Sequence, residues 1–534
     1  MAWGKPASGP PAADLIQKAA TGQQSLIILP FRSFGDSECA ALCQALRGNQ
    51  TLTELRASGH TLGATGLHAI GNLLASSDCA LRQLAIGDAA LGGAGVGQLA
   101  DALGDGTCKL HTIDLGLKGL GAEDADELGR FLRCCVRLHA LELGRNVLGV
   151  PGARALSAAG VLSDSLEVLG LSACGLDGAA LAAIGGGGGA FSRVLRTLDI
   201  SKNEAVGASG DGALGELLAS LPALTSLDVK SCALGEEAAA ALARALAPHA
   251  ALLRLDLSSN PGLWCGPPLA PPPAVPPAAP PPPPPPTTSA LLPRTFLESA
   301  LPSRAEFEAS LRLGDAERGA LEANAAHAHA HAPPAAGAAA SATAALVQAI
   351  RAAPCLERLA LGSCALKDEV AVALAGGAAG AGVSCRASRP SAALAGLTEL
   401  DARSNRLGPA GAAALLRLPP PFASLSLFDN PAVGTAARDG GHHLGLALGA
   451  SAASLTSLDL GACALDEAAQ LGALSGALRD GGATGLKCLE MFGNGSSETM
   501  GSESEWRAAL TALREVRPGL DVAWKEPDVK AQPG

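Results

Sequence analysis

The chain has 534 residues but only nine Phe, four Trp and no Tyr. Deep cofactor pockets and platforms that stack single-stranded nucleic acid are built on large rings, so this composition disfavours both. Lys plus Arg number 39 against 50 Asp plus Glu, a formal net charge of −11, which leaves no basic stripe for a phosphate backbone and suits a partner with a basic surface.

Residues 1–14 read as disordered, and Leu15, Ile16 and Ala19 as a short amphipathic cap, so 1–23 form an N-terminal cap region. No basic segment followed by an apolar run opens the chain, so no secretory leader is expected. No stretch of 18 or more bulky apolar residues suggests a membrane span.

From residue 24 one pattern recurs: L-x-x-L-x-L-x-x-N/C, a Leu, a Gly or Asp, then an Ala/Leu-rich segment of helical period. The clearest copy carries Leu224, Leu227, Val229, Cys232, Leu234 and Gly235, followed by EEAAAALARAL. The fourth motif position falls at Leu55, Leu84, Ile113, Leu141, Leu169, Leu198, Leu227 and Leu255, in steps of 28 or 29. A degenerate copy at Ile27 and Leu29 stands one period upstream of Leu55. The pattern resumes at Leu359, Leu400, Leu425, Leu458 and Leu489, which makes fourteen units. Alternating L-x-L is a strand with one buried face. One strand and one helix cannot bury that face alone, so units must stack, with strands inside and the wider helices outside. The expected fold is α/β: a solenoid with a parallel inner sheet, outer helices and horseshoe curvature.

The ninth position reads His60, Ala89, Lys118, Asn146, Cys174, Asn203, Cys232, Asn260, Cys364, Asn405, Asn430, Cys463 and Asn494. Its polar group is placed to satisfy loop backbone that the strand no longer pairs. Four of the fourteen Cys fall here. Cys79, Cys108, Cys134 and Cys355 precede strands, where helix ends pack inward. Without C-x-x-C or zinc spacing, the Cys read as buried thiols of a reducing compartment.

These step lengths, the Asn/Cys position and the full helix per unit resemble the ribonuclease-inhibitor type of leucine-rich repeat, over about 24–263 and 341–524. That family includes ribonuclease inhibitors, the Ran GTPase-activating protein and the repeat regions of NOD-like receptors, and nearly all of it acts by binding another protein. The resemblance therefore implies a protein-binding scaffold.

Between residues 264 and 340 the pattern fails. Pro267–Pro286 reads as extended polyproline, either a docking segment for a polyproline-binding domain or a low-complexity loop. His327, His329 and His331 sit in similarly biased Ala/Pro sequence. Leu311 lies two periods after Leu255, and Leu311–Ala316 echoes Leu84–Ala89, so a degenerate repeat is read near 311. A helix over Ala342–Ala352 restores the second repeat block, 341–500. A smaller insertion near Gly376–Pro390 stretches one step to 41. Residues 501–534 read as a C-terminal cap and tail, with a helix near Glu505–Val516 and the Val522/Trp524 segment covering the open end.

Gly95-Val-Gly97-Gln-Leu-Ala100 is a loop-to-helix start in repeat register rather than a dinucleotide loop, and no phosphate-binding, hydrolase or metalloprotease motif occurs. No catalysis, cofactor or metal is expected. The fifth position, facing away from the core, is mostly acidic: Asp114, Glu142, Asp199, Asp228, Asp256, Asp401, Asp459 and Glu490. Strands stack ~4.8 Å apart, so these form a ridge, either a surface for a basic partner or an ordinary consequence of the L-D-L consensus. The seventh position is mostly Gly or Ser but turns bulky at Lys230, Arg403, Phe428 and Phe492. Interfaces favour aromatics and Arg, so the expected binding centre is Arg403, Phe428, Glu490 and Phe492 with Asp401 and Asp459 beside them. Either Phe could instead lie under a loop.

The expectation is an intracellular, cytoplasmic scaffold or adaptor that binds protein partners through its concave face, and not membrane or nucleic acid. Two rivals stand beside it. One is a GTPase activator resembling the Ran activator, with Arg145-Asn146 as the nearest loop-edge pair but without that family's acidic tail. The other is a structural component of the cytoskeleton or the ciliary axoneme.

Overall fold

In the computed structural model, residues 13–265 and 336–523 are described, apart from 21, 105–107, 159–164, 187–192, 209–211, 377–393, 395, 436–439, 450, 452, 466–467, 481–482, 495–507, 509–510, 513, 516 and 518. Fifteen short strands follow one another in chain order in one sheet: β1 (Ser25–Ile27), β2 (Glu54–Ser58), β3 (Gln83–Gly87), β4 (Thr112–Asp114), β5 (Ala140–Glu142), β6 (Val168–Gly170), β7 (Thr197–Asp199), β8 (Ser226–Asp228), β9 (Arg254–Asp256), β10 (Arg358–Ala360), β11 (Glu399–Asp401), β12 (Ser424–Ser426), β13 (Ser457–Asp459), β14 (Cys488–Glu490) and β15 (Asp521–Ala523). Every pairing is parallel, and from β2 to β14 the fourth-position apolar residues face each other across the ladder, as in Leu198↔Leu227 and Leu227↔Leu255. The sheet does not close into a barrel.

The strands hold together because each repeat supplies a layer of the same core. Leu224, Leu227, Val229 and Leu234 are all essentially buried, as are Leu242 and Leu246 from the helix Glu236–Leu246. That helix has Glu236 and Glu237 in its first turn and Arg244 in its last, charges that complement the helix dipole. Its alanines let neighbouring helices approach while favouring helical backbone. Phe131 and Phe422 are the largest of the fully buried side chains, Phe34 and Trp264 join them in the core, and most of the rest is Leu, Ile, Val, Ala and Cys.

Two expectations are corrected. Leu26, not Ile27, lies opposite Leu55. A one-residue shift swaps the two faces of a strand, so Ile27 and Leu29 are 56% and 48% exposed instead of buried. The count of about fourteen repeats is one short in strands: Val522 pairs opposite Leu489, which makes the expected cap segment a fifteenth strand. β9 pairs directly with β10, Leu255 opposite Leu359. Leu311 itself, Pro267–Pro286, the His327–His331 stretch, most of the Gly376–Pro390 insertion and Trp524 lie outside the described residues.

Of the four thiols expected to pack inward before strands, three do so. Cys79, Cys108 and Cys134 are buried at the helix-to-strand turns, but Cys355 is exposed. The turn Pro354–Cys355 carries it outward, and Leu356 takes the inward place.

Candidate protein-binding face

The face of the sheet away from the leucine core is built by a device repeated in seven turns. At the fifth position a carboxylate oxygen accepts the backbone N–H two residues on. Asp114 takes that of Gly116 (2.8 Å), Glu142 that of Gly144 (2.7 Å) and Asp199 that of Ser201 (2.8 Å). Asp228 takes Lys230 (2.9 Å), Asp256 Ser258 (2.8 Å), Asp401 Arg403 (3.1 Å) and Asp459 Gly461 (2.9 Å). The next residue then enters left-handed backbone, as at Arg145, Lys202, Ser231 and Ser259. The acidic residue thus turns the chain out of the strand with one oxygen. The L-D-L consensus has a local structural cause, and at Asp199, Asp228 and Asp256 the second oxygen is left to face a partner.

The register sets these carboxylates side by side. Asp114 pairs with Glu142, Asp199 with Asp228, Asp228 with Asp256, and Asp459 with Glu490. Gly170, Ala360 and Ser426 interrupt the row. At Gly170 a Cβ would fall 2.0 Å from Glu142 Oε2, so the longer Glu142 lies over the glycine of the next strand. Burial, followed by the charges of Asp199 and Asp114, pushes the Glu142 carboxyl up to about 7. Burial, with Asp256 and Asp199, pushes Asp228 up to about 7 as well. Burial and neighbouring acids also raise Glu490.

A stability prediction follows from Asp228. Its folded value lies above the unfolded carboxylate range near ~4, so the folded state binds the extra proton and stability falls as pH rises from there through about 7. Asp228→Asn keeps the oxygen that accepts from Lys230. It is expected to raise the melting temperature at pH 8 and leave it unchanged at pH 4, read by thermal unfolding at both values.

The C-terminal part carries the bulky groups. Arg403 Nε donates to Asp401 Oδ2 at 2.7 Å, and its stem lies over Gly362, where a Cβ would be 3.0 Å from Arg403 Cγ. Ser426 Oγ donates to Asp459 Oδ2 at 2.9 Å. Phe428 crosses Gly461, where a Cβ would meet its ring at 2.6 Å. Phe428 and Phe492 are both half-buried on the seventh positions of the β12 and β14 repeats, on either side of Gly461, and Lys230 is exposed. The glycines of the seventh position are therefore seats for the large side chains of the preceding or following strand. Gly461→Leu is expected to displace the Phe428 ring and weaken any partner that uses it, without unfolding the chain. A spectrum of the chain labelled with fluorinated Phe would report the displacement.

The ninth position anchors this face from beneath. Asn203 Oδ1 accepts N–H groups of Cys174 (2.9 Å) and Leu176 (3.0 Å), and its Nδ2 donates to Leu171 and Ile200 carbonyls (2.9 and 2.7 Å). Asn146, Asn260, Asn405 and Asn494 repeat the arrangement. The Cys thiols donate to the same kind of acceptor, the carbonyl at the sixth position of the previous repeat. Cys174 reaches Leu143 (3.2 Å), Cys232 Ile200 (3.2 Å), Cys364 Leu257 (3.2 Å) and Cys463 Leu427 (3.1 Å). Burial pushes all four thiols up to about 12, so they stay protonated donors. His60, at the same position, contacts the Ile28 carbonyl through Nε2 at 3.3 Å and stands in for them. Lys118 is buried, and desolvation lowers its pKa; its Nζ donates to Ser58 Oγ at 3.3 Å.

Among the described residues no cluster of three or more His, Cys, Asp or Glu could hold a metal ion. Among them, also, no helix is long and apolar enough to cross a membrane.

The sheet, the helix per turn and the Asn/Cys ladder define the chain as a leucine-rich-repeat solenoid. A family model described as Leucine Rich repeat matches residues 221–243, the copy with the most regular motif. No curated protein matches the chain. Among solved structures the chain is similar to one titled "Crystal structure of Rad7 and Elc1 complex in yeast", with 13% identity, 92% of this chain and 88% of that one covered, and a TM-score of 0.35. It is also similar to an internalin (inlF) from Listeria monocytogenes, at 10% identity, 83% and 88% coverage and a TM-score of 0.32.

Proposed function

We propose that this chain is a non-catalytic scaffold whose helix-free sheet face binds a protein partner with a basic surface. The observation that supports it most is the row Asp199, Asp228 and Asp256 on three adjacent strands, each with one carboxylate oxygen spent on the turn and the other left over. A pre-ordered surface loses little entropy on association, so modest contacts suffice. Arg403 and Phe428, seated over glycines, supply the bulky anchors that interface centres favour. The partner approaches through charge attraction and is held by these groups.

The same face sets a pH dependence. Glu142 and Asp228 titrate at about 7, so the row gains protons and loses negative charge as pH falls from 8 to 6. A basic partner is therefore expected to dissociate faster at pH 6 than at pH 8. The test is affinity purification of the partner followed by binding measurements at both values. Equal affinity across that range, together with salt independence, would remove the acidic row from the interface.

A further inference from the structure

On three consecutive repeats the entry ends of the strands carry basic groups. The second motif position, where the chain enters the sheet, holds Arg82, His111 and His139 there, and Lys109 and Arg137 stand two residues before the latter two. The His111 and His139 rings lie 5.0 Å apart, tilted at 58°. His139 Nδ1 is 2.7 Å from the Arg137 carbonyl, which leaves Nε2 directed elsewhere. Arg82 Nη1 donates to the Cys79 and Leu81 carbonyls (3.3 and 2.8 Å), and Lys109 Nζ donates to the Ser77 carbonyl, so both cations are held along the rim by neutral groups.

None of Arg82, Lys109 and Arg137 forms an ion pair among the described residues, and His111 and His139 form none either. His111 is held below the usual imidazole range by burial first, then by His139, Arg82 and Arg137. Every charge acting on it is positive. The nearest acids in register are Asp78, whose Oδ1 accepts from Ser77 Oγ at 3.4 Å, and Glu167, which begins the repeat beyond β5. A chain of net charge −11 thus concentrates five unpaired basic groups on one rim. Two of them are imidazoles close enough to repel when both are charged.

We propose that the rim formed by Arg82, Lys109, His111, Arg137 and His139 is a second docking surface, which takes a carboxylate-rich segment of a protein partner. It is separate from the sheet face and does not rest on that reading. An acidic segment would supply the counter-charge that the rim lacks and would favour protonation of both imidazoles, so binding tightens on acidification. This is the reverse of the sheet face, where acidification removes charge from the row.

The test uses the full chain and a fluorescein-labelled octa-aspartate peptide, read by fluorescence anisotropy at low salt. The net negative charge of the protein opposes this probe, so binding has to come from a local positive site. Binding is expected to be at least about threefold tighter at pH 6.0 than at pH 8.0. Arg137→Gln with His139→Gln is expected to weaken it about tenfold at pH 6.0. Arg244→Gln, on the exposed face of the helix Glu236–Leu246, removes the same kind of charge elsewhere and is expected to change nothing. If the double variant loses cooperative unfolding, Lys109→Gln replaces it and is expected to weaken binding in the same direction. Equal affinity at the two pH values, equal loss with Arg244→Gln, or binding of labelled oligouridylate with no octa-aspartate binding would overturn the proposal.

Discussion

Replacing Asn203 with alanine is expected to lower the unfolding free energy by about 3–5 kcal/mol, measured by chemical denaturation at fixed pH. The side chain is 1% exposed and makes four close hydrogen bonds that span two repeats. Alanine would strand the Cys174 and Leu176 N–H groups and the Leu171 and Ile200 carbonyls in a buried site. Each unsatisfied buried group costs about 1–3 kcal/mol, and partial relaxation sets the total below the sum. Asn203→Cys is expected to cost less than alanine, because a thiol there can donate to the Leu171 carbonyl as Cys174 donates to that of Leu143. Asn203→Asp is expected to cost at least as much as alanine, because a carboxylate cannot donate to the two carbonyls. A loss below about 1 kcal/mol for Asn203→Ala would mean that the ladder is not what ties the repeats together.

Reversing charge at Asp228 and Asp256 together, each to Lys, is expected to weaken a basic partner about a hundredfold or more, mostly through slower association at low salt. The two residues face each other on adjacent strands, so the double change converts the centre of the row from negative to positive. The difference from the unsubstituted chain is expected to shrink as ionic strength rises, because exposed charges are screened within about 10 Å at 0.1 M salt. Each carboxylate also holds a turn N–H, so the single changes Asp228→Asn and Asp256→Asn serve as controls that keep that bond. Association rates of the co-purified partner, measured against salt, decide the matter.

Much of the fold was legible because the repeat is short and its spacing nearly constant. A Leu every 28 or 29 residues fixes the parallel register from Leu55 to Leu255. The ninth-position Asn and Cys were legible too, since their loop-satisfying role follows from where the strand ends. The ends were harder. Leu26, Ile27, Ile28 and Leu29 are four apolar residues in a row, and a period of two cannot choose between the two registers. Asp521–Ala523 lacks the L-x-L signature, so only its pairing with β14 reveals a strand.

The candidate site was legible as positions but not as chemistry. The alternation placed Asp228 and Asp256 on one face, yet the bond from each carboxylate to its own turn needed coordinates. The high pKa of Glu142 depends on its lying over Gly170, one strand away and 28 residues on. Phe428 could have gone under a loop, and the seat that Gly461 gives it is what keeps it on the sheet. The basic rim escaped notice for a simpler reason. Arg82, His111 and His139 are scattered in sequence and align only when the second motif position is read across repeats.

The central claim is that the helix-free face of the sheet is where a partner sits. A photo-crosslinking amino acid introduced at Lys230, exposed on that face, and separately at Arg244, on the helical side, tests it most directly in the cell that naturally makes the protein. Adducts with one or a few proteins are expected from position 230, reduced by Asp256→Lys, and none from position 244. Adducts from position 244 alone would place the partner on the helices and contradict the account.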